Sequence, residues 1–145
     1  MTPPIALQLY SVRDLIAQTD HDSVVRQVGQ IGYAGVETAG FPGTSPQAAG
    51  NLFKSLGLAV SSIHKFPIPT AADVQEILDT LGALDTKNCV SGAGPDDFKT
   101  PELTHKTCDK LNAAAALLAP HGVRLHVHNH WSEYLKIGEK YAYEY

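Results

Sequence analysis

Three histidines and a glutamate, His126, His128, His130 and Glu133, fall within eight positions of the stretch "VRLHVHNHWSEY", residues 123–134. Imidazole is a common protein ligand for divalent metals and carboxylates complete such sets, so the cluster is a candidate for metal binding or proton transfer. The three histidines share one parity, which sends their rings to the same side of an extended segment. With Leu125 and Val127 turned toward helices, the imidazoles would face the interior of a barrel. Glu37 is a second candidate: its flanks "GV" and "TAG" are small and apolar, and a carboxylate in such surroundings needs a partner or a metal. His64 ends another apolar run, behind Ser62 and ahead of Lys65.

The elements that must position these groups alternate in type. Runs rich in β-branched residues, "IALQLYSV", "YAGVETAGF", "LAVSSIHKF", "KNCVSGAG" and "VRLHVHNH", read as strands. Between them lie segments of helical period. In "SVVRQVGQIG" the residues Val24, Val25, Val28 and Ile31 share a face, Asp20 or Asp22 caps the start and Gly32 the end. "SPQAAGNLFKSLG" has Ser45 as N-cap, Pro46 in the first turn and Gly57 at its end. "TAADVQEILDTLGALD" carries a buried stripe of Val74, Ile77, Leu78 and Leu81, and the long Ala-rich "TPELTHKTCDKLNAAAALLAPHG" closes at Gly122. The tail "LKIGEKYAYEY" leaves room for the start of a fifth helix.

Strand and helix in alternation, at roughly 30 residues per unit, imply a parallel sheet with crossover helices. No linker divides the chain, so residues 1–145 read as one domain. An open doubly wound sheet would place a glycine-rich phosphate loop after the first strand, and "LYSVRD" has none. The expected fold is therefore a partial (β/α)8 TIM barrel, of about five parallel strands with four or five flanking helices. In such folds the site forms at the C-terminal ends of the strands. Gln8, Tyr10, Glu37, His64 and the histidine cluster all fall there.

Charge and composition remove several function classes. Eleven basic against fifteen acidic residues give a net charge of −4, which is no footprint for nucleic acid. The amino terminus lacks a signal-peptide pattern and no apolar run reaches a membrane span, so a cytoplasmic protein without membrane partners is expected. Cys89 and Cys108 are too few for a disulfide framework and read as reduced, packed thiols. His21, His105 and His121 read as surface residues.

At the strand ends the chain resembles the sugar phosphate isomerase/epimerase family, whose fold is similar to xylose isomerase and endonuclease IV. "IALQLYSVRD", "IGYAGVETAGF", "LAVSSIH" and "VHNHWSEY" carry the resemblance, which spans residues 5–143. It implies metal-assisted proton transfer next to a carbonyl of a ketose, an aldose or an inositol derivative, with manganese, zinc or magnesium as cofactor. It implies catalytic roles for Glu37, His64 and Glu133. Gln8, Tyr10, His64, Asn129 and Trp131 would contact the sugar, and His126, His128 and His130 would contribute metal ligands. In many members a strand-five glutamate binds the metal, where this chain has His126 and His128. Further ligands come from strands six to eight, beyond this sequence, so an incomplete metal site is expected.

Two other readings compete. A half barrel that exposes strand edges and an apolar face would associate with its own copies, without catalysis. The H-x-H-x4-E spacing from His126 to Glu133 also matches a cupin metal pattern, although the helix preceding it argues against an all-β fold. The letters "HNH" alone do not make a nuclease motif, given the acidic charge balance.

Overall fold

The computed structural model describes residues 3–145. Five parallel strands form one sheet in the order β1-β2-β3-β4-β5: Ala6–Gln8, Gly35–Thr38, Ala59–His64, Asn88–Ser91 and Arg124–Val127. The helices are α1 (Arg13–Gln18), α2 (His21–Ile31), α3 (Pro46–Ser55), α4 (Val74–Leu84) and α5 (Pro101–Leu118). Strand order equal to chain order, with a helix after each of the first four strands, is the partial barrel expected from the alternation. It excludes the cupin reading, because α5 and a parallel sheet have no place in an antiparallel all-β fold.

The chain forms two compact units, residues up to His64 with Glu76–Cys89, and Lys65–Gln75 with Val90–Tyr145. In the first, Val25, Val36, Phe53 and Ile77 are fully buried; in the second, Ala114 and Leu118 are. No helix among the described residues is long and apolar enough to cross a membrane.

Helix starts and stops follow local chemistry. Asp20 accepts from the Ser23 amide at 2.8 Å and starts α2, which Gly32 ends at φ 101°. Ser45 caps α3 by accepting from the Ala48 amide. At the end of α3 the Leu58 amide donates to the Phe53 carbonyl and that of Gly57 to Lys54, the Schellman arrangement that Gly57 permits at φ 69°. The end of α4 repeats it with Asp85 in the left-handed position, φ 53°.

Several sequence expectations need correction. The first strand stops at Gln8, and Leu9–Val12 turns as a 3-10 helix into α1, a short helix in what read as a connection. After Tyr134 the chain forms a hairpin of β6 (Lys136–Ile137) and β7 (Lys140–Tyr141) instead of a helix. Ile31 is 73% exposed, so the buried face of α2 is Val24, Val25 and Val28 with His21, not a surface residue but 3% exposed. Cys89 is buried as expected, whereas Cys108 is exposed.

In the first unit, Gly35 and Gly50 are dictated by close approach. A Cβ on Gly35 would overlap the Ala59 carbonyl oxygen of the neighbouring strand, and one on Gly50 the carbonyl oxygen of Ala83. Backbone cannot move aside there without disturbing the ladder, so Gly35→Ala should destabilise the chain by about 1–3 kcal/mol, the usual cost of overpacking. The urea midpoint measures this; an unchanged midpoint would show that β2 and β3 tolerate the added methyl.

Candidate functional site

In the first unit the sheet gathers Gln8, Glu37, Ser62 and His64. The register pairs Gln8 with Glu37 across β1 and β2. Between β2 and β3 it pairs Val36 with Val60 but Glu37 with Ser62, so an extra residue, Ser61, bulges out of β3. The groups freed by the bulge are satisfied locally: the Ser61 hydroxyl donates to the Val36 carbonyl at 3.1 Å, and the Ser61 carbonyl accepts from the Asn88 amide group at 2.9 Å. Without this one-residue shift, Glu37 would lie opposite Ser61.

Both oxygens of Glu37 are then met. Gln8 Nε2 donates to Oε1 at 2.5 Å and Ser62 Oγ donates to Oε2 at 2.6 Å. His64 Nδ1 lies 3.6 Å from Oε1 and 3.2 Å from Gln8 Nε2. The Gln8 orientation is fixed by chemistry, since an ionised carboxylate only accepts and the amide must turn its NH2 toward it. Glu37 and His64 each keep 18% of their side-chain surface exposed, so the pair is partly desolvated but reachable. The His64 ring beside it, aided by the Ser62 and Gln8 donors and opposed by burial, brings the Glu37 carboxyl down to about 2. Glu37 is therefore a fixed negative charge at neutral pH. With its donors in place it is a weak base and a strong acceptor.

Other predicted residues are placed differently. Tyr10 is 57% exposed, and the Arg13 guanidinium sits over its ring at 4.3 Å. Lys65 pairs with Asp73 at 3.7 Å.

In the second unit β5 ends at Val127, so among the three histidines only His126 belongs to the strand, where it is exposed. Val127 is 58% exposed rather than packed under helices. His128 continues the pairing for one more bond, its amide donating to the Ser91 carbonyl at 2.8 Å, and a Cβ on Gly92 would come within 2.5 Å of the His128 carbonyl oxygen. The His128 and His130 rings meet edge to face at 4.6 Å. Glu133 is 7% exposed, and its Oε2 accepts from the His130 amide at 3.0 Å and the Ser132 hydroxyl at 2.9 Å. It thereby closes the turn that carries the histidines. Its Oε1 and the Ser91 hydroxyl are buried without a hydrogen-bond partner among the described residues. Asn129 reaches the His130 carbonyl and the Tyr134 hydroxyl, both at 3.4 Å, and Trp131 is 64% exposed.

The donor sets can be tested against a metal. Among the described residues no group of three or more His, Cys, Asp or Glu side chains is arranged to hold an ion. Glu37 has both oxygens engaged by donors that a metal would have to displace, and Glu133 commits one oxygen to its own turn. These side chains do not complete a coordination sphere by themselves.

Ser62 stands in the sequence among the polar residues at the end of the third strand, on the same side as His64, without an assigned role. Its position before His64 was visible, but the bulge that sets it opposite Glu37 leaves no mark in residue types. His21 did leave a signal, because 21, 25 and 28 fall on one helical face.

No protein-family model matches the chain, and no curated protein matches it in sequence. Solved structures do match. A sugar phosphate isomerase/epimerase from Parabacteroides distasonis ATCC 8503 superposes with a TM-score of 0.76 at 18% identity, over 97% of this chain and 59% of its own. An AP endonuclease, family 2, from Brucella melitensis gives 0.63 at 18% identity, over 87% and 55%. A fusion protein of a xylose isomerase-like TIM barrel and 4-hydroxyphenylpyruvate dioxygenase gives 0.56 at 16% identity, over 86% and 22%. The shared property is the xylose isomerase-like fold, and the chain spans little more than half the length of the first two.

The depressed Glu37 makes a pH prediction. Its folded value, about 2, lies below the ordinary 4.5, so its contribution is complete above pH 4.5 and is lost as pH falls toward 2. Glu37→Gln should cost on the order of 1–3 kcal/mol at pH 7. The stability gap between wild type and variant, followed by urea unfolding from pH 6 to 2, should narrow over that window; a constant gap would contradict the hydrogen-bonded, ionised carboxylate.

Proposed function

We propose that the chain is a sugar (phosphate) isomerase/epimerase-like protein that moves a proton next to the carbonyl of a ketose, an aldose or an inositol derivative, with the xylose isomerase-like fold as premise. The observation that carries the reading is the linked set Gln8, Glu37, Ser62 and His64 at the C-terminal ends of three adjacent parallel strands. Parallel α/β folds place their chemistry at those ends.

The roles follow from the geometry. Glu37, held ionised, places its carboxylate 3.6 Å from the His64 ring. His64 is then the group that takes up and returns the proton, while Gln8 and Ser62 keep the carboxylate aimed. A sugar hydroxyl that replaces the Gln8 donor would use the same oxygen. In the second unit His128, His130 and Asn129 form a separate polar set beside the turn that Glu133 closes. A divalent metal (manganese, zinc or magnesium) would polarise the carbonyl when bound; neither set by itself completes its coordination. The name of the AP endonuclease neighbour is not carried over to this chain, whose net charge of −4 disfavours a polyanion.

Self-association is the second proposal, on a separate observation. β5 ends the sheet order and is exposed along most of its length, with Val127, Trp131, Tyr134 and Leu135 more than half exposed near it. An outer strand with apolar neighbours is a surface for a second copy of the chain. Light scattering at micromolar concentration should give a dimer or larger species. A monomer would overturn this part alone.

Catalysis is tested by solvent exchange. Incubation of the protein with manganese and a panel of ketoses and aldoses in D2O should place deuterium on the carbon next to the carbonyl. Glu37→Gln and His64→Asn should each reduce the rate by at least about 100-fold, the usual share of general acid–base catalysis. Absence of exchange with every sugar, with and without metal, would reject the enzyme reading.

A further inference from the structure

Residues paired across a parallel ladder share a face of the sheet. The register pairs Val36 with Val60 and Thr38 with Ile63, so Val60 and Ile63 lie on one face of β3, the face on which Val36, Thr38 and Ile63 are buried. Ser62 and His64 lie on the other face, with Glu37. Residues 60 and 63 differ in parity, and a regular strand cannot set both on the same side. The extra residue, Ser61, makes the change. Without it Ser62 and His64 would turn away from Glu37, and Ile63 would face the carboxylate.

A bulge leaves its extra residue without regular ladder partners. Ser61 is pinned instead from both neighbouring strands: its hydroxyl donates to the Val36 carbonyl of β2 at 3.1 Å, and its carbonyl accepts from Asn88 Nδ2 of β4 at 2.9 Å. A carbonyl only accepts, so Asn88 must turn its NH2 toward it. The Thr86 hydroxyl reaches the same carbonyl at 3.4 Å, which is long for a bond between oxygens, so Asn88 supplies the stronger one.

Both pins adjoin the contact that matters. Val36 precedes Glu37, Ser61 precedes Ser62, and the Ser62 hydroxyl donates to Glu37 at 2.6 Å, the short range of a charge-assisted bond. A bond this short, and the 3.6 Å approach of His64, tolerate little displacement; an error of about 1 Å in a reacting group can cost about 100-fold in rate.

We propose that Asn88, the first residue of β4, is a positioning residue: by holding the Ser61 bulge it keeps Ser62 and His64 aimed at Glu37. The inference rests on the reading of Glu37 and His64 as the groups that carry the proton transfer.

The test compares Asn88→Ala with Ile77→Val, a core truncation in the same unit that lowers stability by a similar amount. Weaker donation to Glu37 favours its neutral acid. In carbon NMR of the intact chain, Asn88→Ala should therefore raise the Glu37 midpoint from about 2, by at least about tenfold in proton affinity, while Ile77→Val leaves it in place. Asn88→Leu, near in shape and without a donor, should do the same. The wild type, which needs no variant to fold, should show scalar coupling across the hydrogen bond between Asn88 Nδ2 and the Ser61 carbonyl carbon. In the deuterium-exchange assay Asn88→Ala should lower kcat about tenfold with KM unchanged, as a misplaced reacting group does. An Asn88→Ala chain that loses stability but keeps the Glu37 midpoint of the wild type overturns the proposal, and so does absence of the coupling. Loss of exchange in the wild type itself would reject the enzyme reading, whereas the Glu37 midpoint and the coupling report on Asn88 without any turnover.

Discussion

A carboxylate set into the end of a parallel sheet has to be met by donors, and much of the first unit is arranged around that requirement. Glu37 sits at the end of β2 with Gln8 on one side and Ser62 on the other, each giving one oxygen a short hydrogen bond. The donor from β3 arrives only because that strand bulges at Ser61. The bulge in turn needs its own partners, which Val36 and Asn88 supply. Desolvating a charge without such partners would be far more costly than any of these contacts is favourable.

The same requirement reaches into the backbone. β2 and β3 approach closely enough at Gly35 that a methyl group would collide with the Ala59 carbonyl. The outcome is a carboxylate held as an ion by geometry, with His64 as the largest influence on its charge state. That state suits a group that steadies charge on a neighbour. It does not suit a free base, whose proton affinity would need to lie nearer the working pH.

Glu133 uses the same device on a smaller scale. One oxygen closes the turn from His130 to Ser132 and the other is buried. The carboxylate expected to act at the rim is thus part of what holds the rim in shape. His128 and His130 are brought together by that turn and by the bond from His128 to Ser91, not by strand parity, because β5 has already ended at Val127.

Strand and helix alternation, the caps at Asp20, Ser45 and Gly57, and the polar residues at strand ends could all be read from residue types, because each depends on neighbours a few positions away. The identity of Glu37, His64 and Gln8 as site residues was legible for the same reason: polar groups stood where apolar runs should end. Strand register was not legible, and it decided that Ser62 rather than Ser61 meets Glu37. Nor did residue type reveal the burial of His21, although helical spacing aligned it with Val25 and Val28, since only packing against Phe53 shows which helix face is covered. Local chemistry depends on sequence neighbours, while hydrogen-bond partners 25 to 56 residues apart are settled only when strands align in three dimensions.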